Sequence, residues 1–458
     1  MTTATLEPRP PVSDIKRPNV MHGEEAMIDR LLAPVHDFLR IEAVSGIFLV
    51  VCTVIALVLA NSPLAHPYEE FLHTKIGVAW GDGSFKLSLL HWINDGLMTI
   101  FFFVVGLEIK RELIAGELRD WRTALLPVAA AIGGMAAPAS IYLLFESGTP
   151  GEKGWGIPTA TDIAFVVGIL ALLGKRVPLG LKLFLLTLAI ADDLGAIIVI
   201  AAFYSSNIGM IPLLIAILGM GAVTIFQRLG VWSMPAYVAA GSVIWVGMYL
   251  SGIHPTIAGV VLGFATPMVG RILPTQPFEY AASQIAMLPM GIESLQHDDI
   301  QHKLSHLNRL TNLSLSPLER LEHALHSWVA FAIMPIFAIT NAAVHFEPSA
   351  MSGTVAWAVA AGLVIGKPIG ILAMTGLTIA TGLGRLPRGV TWPIMIGGAC
   401  LAGIGFTMSL FVSALAFADS PEMLSSAKIG VFLGSVTSAI LGIVILKFSL
   451  PKQSTDSE

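Results

Sequence analysis

Two adjacent aspartates, Asp192 and Asp193, stand in the middle of Leu188-Ala-Ile-Ala-Asp-Asp-Leu-Gly-Ala-Ile-Ile198. The surrounding run, Leu183 to Phe203, is otherwise apolar apart from glycine and one threonine. An ionisable residue at the centre of a membrane-length helix costs about 3 kcal/mol on insertion scales. Two in succession therefore call for a compensating partner and a use. Three further features of the chain answer that call. Asp162 lies in Gly156-Ile-Pro-Thr-Ala-Thr-Asp-Ile-Ala-Phe165, about thirty residues earlier and so on the preceding, oppositely directed span. Pro158 and the hydroxyls of Thr159 and Thr161 interrupt that span where the aspartate begins, and threonine hydroxyls can satisfy backbone groups freed at such a break. Lys367 lies in Val364-Ile-Gly-Lys-Pro-Ile-Gly370, between helix breakers. The run Gly397 to Ser409 carries no charge, but its glycines and hydroxyls predict a second broken helix.

Lys367 is the natural counter-charge. At about 4 Å and an effective dielectric near 20 its attraction to a carboxylate is roughly 4 kcal/mol. Neighbouring side chains on a helix point about 100° apart. One aspartate of the pair can therefore face Lys367 while the other faces a cavity with Asp162. Three carboxylates against one ammonium leave an excess of negative charge in a low dielectric. Such a cluster holds protons or a cation, and competition between the two is the physical basis of exchange. Carboxylates, hydroxyls and unwound carbonyls suit a small hard cation rather than a transition metal. Cys52 and Cys400 both fall in apolar runs, which predicts neither a disulfide nor redox chemistry. The plain alternative is a structural ion-pair network that locks helices together, and four charges with two helix breaks argue against it. A coupled solute symporter should add polar or aromatic residues to the core, and few are found. An intramembrane aspartyl protease needs its aspartates on facing helices in a Gly-x-Gly-Asp setting, whereas these are adjacent. No glycine-rich phosphate loop is present, so ATP-driven pumping has no support.

The elements that position these residues are membrane spans. The 458-residue chain is 55% hydrophobic and 12% charged, with mean hydropathy +0.77. Soluble domains carry about 25% charged residues, so the fold class is an all-α polytopic membrane protein. The net charge of −5 says little beside where the charges lie. At about 20 apolar residues per span, the chain predicts twelve transmembrane helices. They lie near residues 41–60, 91–112, 124–145, 157–173, 181–204, 210–226, 232–250, 255–269, 323–345, 355–379, 392–417 and 427–448. Between the first two, Lys75 to Leu89 alternates in hydropathy on both sides of a Gly-Asp-Gly turn and predicts a small extracytoplasmic β-hairpin. Most of the 26 Lys and Arg residues fall in connections on the side of the N-terminus, so both termini are expected in the cytoplasm. Residues 1–40 are expected to be a largely disordered tail, 41–450 a single transmembrane domain, and 451–458 a short C-terminal tail. A long cytoplasmic connection, 271–322, carries His297, His302, His306 and a Ser316-Pro317 break. It reads as an insertion or as an amphipathic helix on the membrane surface. Two broken helices in corresponding positions of two halves point to inverted repeats with a midplane site. The third to fifth and the tenth to twelfth spans would be those repeats.

Five motifs together resemble the NhaA-type sodium/proton antiporters. They are Ala-Thr161-Asp162-Ile-Ala-Phe, Ala-Asp192-Asp193-Leu-Gly-Ala-Ile, Gly366-Lys367-Pro368, Gly106-Leu-Glu108-Ile-Lys-Arg111-Glu112-Leu and Leu-Glu322-His323-Ala-Leu-His326-Ser-Trp. The resemblance runs from about Leu32 to Leu450. It implies a secondary transporter without enzymatic activity or cofactor, exporting sodium or lithium against incoming protons in sodium and pH homeostasis. Electrogenic, pH-regulated exchange would follow from the same resemblance. It makes Asp193 the main sodium ligand and proton carrier. Asp192 would stand beside it, ligating the ion or pairing with Lys367. Thr161 and Asp162 would shape the crossing of the broken helices. The same resemblance assigns Glu108, Arg111, Glu112, Glu322, His323 and His326 to a cytoplasmic-side pH-sensing cluster and gives His254 an influence on the pH response. Asp95 matches a family position of less defined role. The Lys75–Leu89 hairpin would join two copies into a homodimer. The expected location is the bacterial inner membrane. The partners are then sodium or lithium ions, protons and lipid, with no nucleic acid. The N-terminal extension and the 271–322 connection exceed the compact family pattern and lie beside the expected pH sensor.

Overall fold

The breaks and small-residue faces of the sequence set the architecture. A computed structural model describes residues 27–80, 83–205, 208–229, 231, 234–268, 316–344 and 353–450. The first 26 residues, the tail 451–458, the hairpin turn and most of the 271–322 connection lie outside the described residues. Helix α1 (Met27–Ala60) begins well before residue 41. Ile28, Leu31, Leu32, Val35, Phe38 and Leu39 recur at helical spacing through the stretch expected to be tail. A short helix α2 (Ala65–His73) leads into strands β1 (Lys75–Trp80) and β2 (Gly83–Ser88), which pair antiparallel with Lys75 opposite Ser88 and Trp80 opposite Gly83. The hairpin is as expected, except that Leu89 already belongs to a helical turn.

The chain continues through α3 (Met98–Ala115), α4 (Trp121–Glu146), a 3₁₀ helix (Pro150–Thr159), α5 (Ile163–Leu172), α6 (Leu179–Phe203), α7 (Met210–Arg228), α8 (Met234–Ser251) and α9 (Thr256–Ala265). The second part holds α10 (Pro317–Trp328), α11 (Met334–Asn341), α12 (Thr354–Ala361), α13 (Lys367–Ala380), α14 (Trp392–Ala402), α15 (Phe406–Ala416) and α16 (Pro421–Ser449). Widened π turns at Val329–Ile333 and Gly362–Gly366 join α10 to α11 and α12 to α13. Each is followed at once by a proline, Pro335 and Pro368, which cannot donate to the helix ladder, and the wider turn absorbs the missing bond. Helix α10 starts before the expected span boundary at residue 323. Ser316 Oγ accepts from Glu319 N at 3.2 Å while Glu319 Oε2 accepts from Ser316 N at 2.9 Å. That capping box, with Pro317 at the first helical position, starts the helix decisively.

Among the described residues six helices are long and apolar enough to cross a membrane, and nine segments qualify if each bent pair counts as one. The expected twelve exceeds that number. Helix α3 ends on Glu108, Lys110, Arg111 and Glu112, and α8 and α9 are short. Two of the bent pairs are the expected broken helices: the 3₁₀ helix with α5, bent by 43°, and α14 with α15, bent by 41°. Each follows a long straight helix, α4 or α12–α13, and precedes another, α6 or α16.

Backbone-to-backbone packing fixes the straight helices against each other. A Cβ on Gly370 would lie 2.0 Å from Gly133 O, and one on Gly133 would lie 2.2 Å from Gly370 O. Gly366 meets Pro138 in the same way, one turn along. Small residues let membrane helices approach closely where no water-driven force holds them. Here they press α13 onto α4 and carry Lys367 to the level of the two breaks. Helices α3 and α9 use the same device, with Gly259 against Thr99 O and Gly263 against Phe103 O. The polar core sits where the two broken segments cross, beneath an apolar shell that includes Phe337, Phe411, Leu363 and Met395.

Candidate functional site

Pro158 and the glycines around it hold the first half-segment as a 3₁₀ helix to Thr159. The chain then runs extended through Ala160 to Asp162 before α5 begins. The second break, Gly403 to Gly405, lies against it. Asp162 N donates to Ile404 O at 2.7 Å, so the two chains are bonded backbone to backbone at their crossing.

Asp162 caps both half-helices. Its Oδ1 accepts from Phe165 N at 3.3 Å, as the N-cap of α5. Its Oδ2 accepts from Thr407 N at 3.0 Å and from the Thr407 hydroxyl, at the start of α15. Helix N-termini carry unsatisfied N–H groups and a partial positive charge, so one carboxylate is shared by two favourable ends. On the other side of the crossing, Lys367 Nζ donates to Thr159 O at the C-terminal end of the 3₁₀ helix, and to Asp192 Oδ2 at 2.5 Å. Both members of that ion pair have fully buried side chains. Thr161 Oγ1 lies 2.6 Å from Asp192 Oδ2 and 3.0 Å from Ala402 O. A hydroxyl has one proton to give, and the carboxylate is the nearer acceptor. Asp192 is thus held by Lys367 and Thr161 through Oδ2 alone, and its Oδ1 has no partner among the described residues.

Asp193 points elsewhere, as a one-residue step along a helix requires. It lines a cavity of about 60 Å³ with Ser45, Glu108, Thr161, Asp162, His326, Met334 and Met408, among others. No described donor is hydrogen-bonded to Asp193, in contrast to Asp162 and Asp192. The cavity has room for a small cation and a few waters. Among the described residues no three His, Cys, Asp or Glu side chains converge as a metal site. The oxygens around Asp193 are those of separate carboxylates and hydroxyls.

The remaining residues expected to act together are divided by the structure. Glu108 and His326 line the cavity of Asp193. Arg111 pairs with Glu322 through Nη1 and lies 3.4 Å from Glu112, tying α3 to α10 about one helical turn from Glu108 and His326. Glu112 Oε2 also accepts from Glu117 N at 3.0 Å. His323 lies on the exposed face of α10. His254 does not line the cavity: its Nε2 is 3.7 Å from Asp95 Oδ1 and its Nδ1 is 2.8 Å from Thr256 Oγ1. Two residues reach the site without having been singled out in the sequence: Ser45 lines the cavity from α1, and Ser435 Oγ accepts from Phe406 N at 3.2 Å. Thr407, one of the hydroxyls that predicted the second break, grips Asp162. Ser45-Gly46 and Gly434-Ser435 are small pairs inside apolar runs, which is the one sequence signal those two share.

The residues on both sides of the crossing, from Ser45 to Ser435, fall inside one family match. A model of the family described as Na+/H+ antiporter 1 matches residues 36–446. The chain belongs to that family. It is 49% identical over 426 residues to the Na(+)/H(+) antiporter NhaA of Rhodopirellula baltica, covering 93% of this chain and 96% of that one. Against the NhaA of Rhizobium meliloti the identity is 46%, covering 91% and 95% of the two chains. For the Vibrio campbellii NhaA it is 42%, covering 92% and 97%. Family membership and the apolar helices make this a multi-pass membrane transporter.

Proposed function

We propose that this protein is a sodium/proton antiporter in which Asp193 is the exchanging group. The single observation that carries the reading is the division of labour among three buried carboxylates. Asp162 is spent on two helix N-termini, Asp192 on Lys367 and Thr161, and Asp193 faces a cavity that Ser45, Glu108, Thr161 and Asp162 also line, with no donor of its own among the described residues. A carboxylate so placed has two competing ligands, a proton and a small hard cation. Whichever binds neutralises it, and a neutralised site can pass between the two sides of a low-dielectric barrier at far lower cost than a bare charge. Coupling then needs no further energy source. Sodium leaves when protons reach Asp193 from the outer side, and protons leave when sodium reaches it from the cytoplasm.

The finer reading follows from the same site. Lithium, which is smaller and equally hard, would be accepted. Exchange would be electrogenic if more than one proton enters per cation. The Arg111–Glu322–Glu112 link, with Glu108, His323 and His326, would set the pH response. The hairpin, held to the bundle by Trp92 Nε1 donating to Ile76 O at 2.9 Å, would join two copies. Both termini would be cytoplasmic and the long–broken–long helix triplets would be inverted repeats. The test is proton flux in everted vesicles on addition of sodium or lithium, across pH. Sodium-dependent proton release should vanish in Asp193→Asn at normal expression. Undiminished exchange by that variant would overturn the assignment.

A further inference from the structure

Thr407 occupies an unusual position. It is fully buried, it is the second residue of α15, and both of its polar donors end on one oxygen of Asp162, the N–H at 3.0 Å and the hydroxyl closer still. Asp162 lines the same cavity as Asp193. The other donors to the Asp162 side chain are backbone groups of its own helix start, Phe165 N at a longer 3.3 Å on the other oxygen, and Ala164. Asp162 is a carboxylate lining the cavity of Asp193 whose Oδ2 is already taken by a neighbouring helix. Its neighbour Thr161 turns away and serves Asp192.

A hydrogen bond to an ionised acceptor is roughly twice as strong as one between neutral groups. Two such bonds on the same oxygen, from one residue, fix its direction. For Asp162 to turn its carboxylate toward a cation at Asp193, Oδ2 must give up its bonds from Thr407, which would weaken the cap of α15 at the same moment. We propose that Thr407 is a positioning residue that keeps Asp162 out of direct coordination of the transported cation, so that the cation is held by Asp193 with hydroxyl and water oxygens and can leave again. Asp162 then acts on the cation as a fixed charge at a distance. The Thr407 hydroxyl controls how tightly the site holds sodium, and the backbone N–H alone caps α15. This rests on the sodium/proton reading of the site.

The hydroxyl can be removed with little change of shape in Thr407→Val, while Thr407→Ser keeps it. With the hydroxyl gone, Asp162 is held by one donor fewer and becomes available as a second carboxylate ligand. Exchange in everted vesicles should then show an apparent KM for sodium lowered at least about threefold, together with a lower maximal rate as release slows. Thr407→Ser should restore both values. As a readout that does not depend on transport, purified protein in detergent should reach half of its sodium-induced thermal stabilisation at a correspondingly lower sodium concentration in the valine variant. A valine variant with unchanged KM and unchanged sodium titration would overturn the proposal. So would a raised KM, or a maximal rate lost in both variants in proportion to the amount of folded protein with KM unaltered. Asp193→Asn, run alongside, separates the two levels. If it still exchanges, the reading of the site fails; if it is inactive while Thr407→Val matches the parent, only the role of Thr407 fails.

Discussion

Replacing Lys367 by methionine would leave Asp192 buried with Thr161 as its one remaining partner among the described residues. The Lys367–Asp192 pair has no solvent exposure on either side chain and its charged atoms are 2.5 Å apart. Removing one member of such a pair costs about 3–5 kcal/mol, chiefly because the other charge stays behind uncompensated. Removing both costs far less, since the expense of burying each charge disappears together with their attraction. A double-mutant cycle of Lys367→Met, Asp192→Asn and the pair combined should therefore be strongly non-additive, with a coupling at least as large as the loss in either single variant. Each single variant should lower the melting temperature of purified protein by roughly 5–10 °C, scaling down from the sensitivity of smaller domains. The double variant should recover most of that loss. Thermal unfolding followed by gel filtration or intrinsic fluorescence gives all four corners. Additive losses would refute the reasoning, because they would mean that the two side chains do not compensate each other in the folded protein. Transport adds a separate line. Asp193 is untouched in the double variant, so sodium-dependent proton movement should persist there in reduced form, and its complete absence with recovered stability would assign Asp192 a direct part in the exchange.

Two further outcomes follow from the packing and from the ion pair between α3 and α10. Gly370→Ala places a methyl group 2.0 Å from Gly133 O, a backbone atom that cannot step aside. Forcing α13 off α4 should cost about 1–3 kcal/mol and also displace Lys367 one turn away. Both melting temperature and exchange should fall, and an unchanged melting temperature would contradict the close helix contact. Arg111 and Glu322 pair with 31% and 10% of their side chains exposed. A pair so placed contributes at most about 1 kcal/mol to stability. Arg111→Gln should therefore barely move the melting temperature while shifting the pH at which exchange switches on. The charge swap Arg111→Glu with Glu322→Arg should bring the profile back toward that of the parent. A pH profile unaffected by Arg111→Gln would remove this link from the regulation of exchange.

The amino-acid sequence by itself determined which residues had to be explained. Charges in a low-dielectric run are costly wherever the chain folds, so Asp162, Asp192, Asp193 and Lys367 announce themselves without a structure. Glycine, proline and hydroxyls beside them announce the two breaks, and alternation around Gly-Asp-Gly announces the hairpin. Local chemistry was less decisive at boundaries. The helical periodicity from Ile28 to Leu39 was hidden beneath a polar, proline-containing neighbourhood, and the capping box at Ser316 moved the start of α10 ahead of the apolar run. Length and composition alone leave the count of spans open for the same reason, since α3, α8 and α9 sit near the limits of length or charge. What only the tertiary structure decided is how the carboxylates are divided. Three buried carboxylates and one lysine allow several pairings, and spacing along the chain does not choose among them. The choice comes from the Gly133–Gly370 contact, which sets the depth of Lys367, and from the crossing of two broken chains, which brings Thr407 to Asp162 from 245 positions away. Hydrogen bonds between distant segments depend on a fraction of an ångström in three dimensions. They fill the valences of Asp162 and of one oxygen of Asp192, and they leave Asp193 facing the cavity.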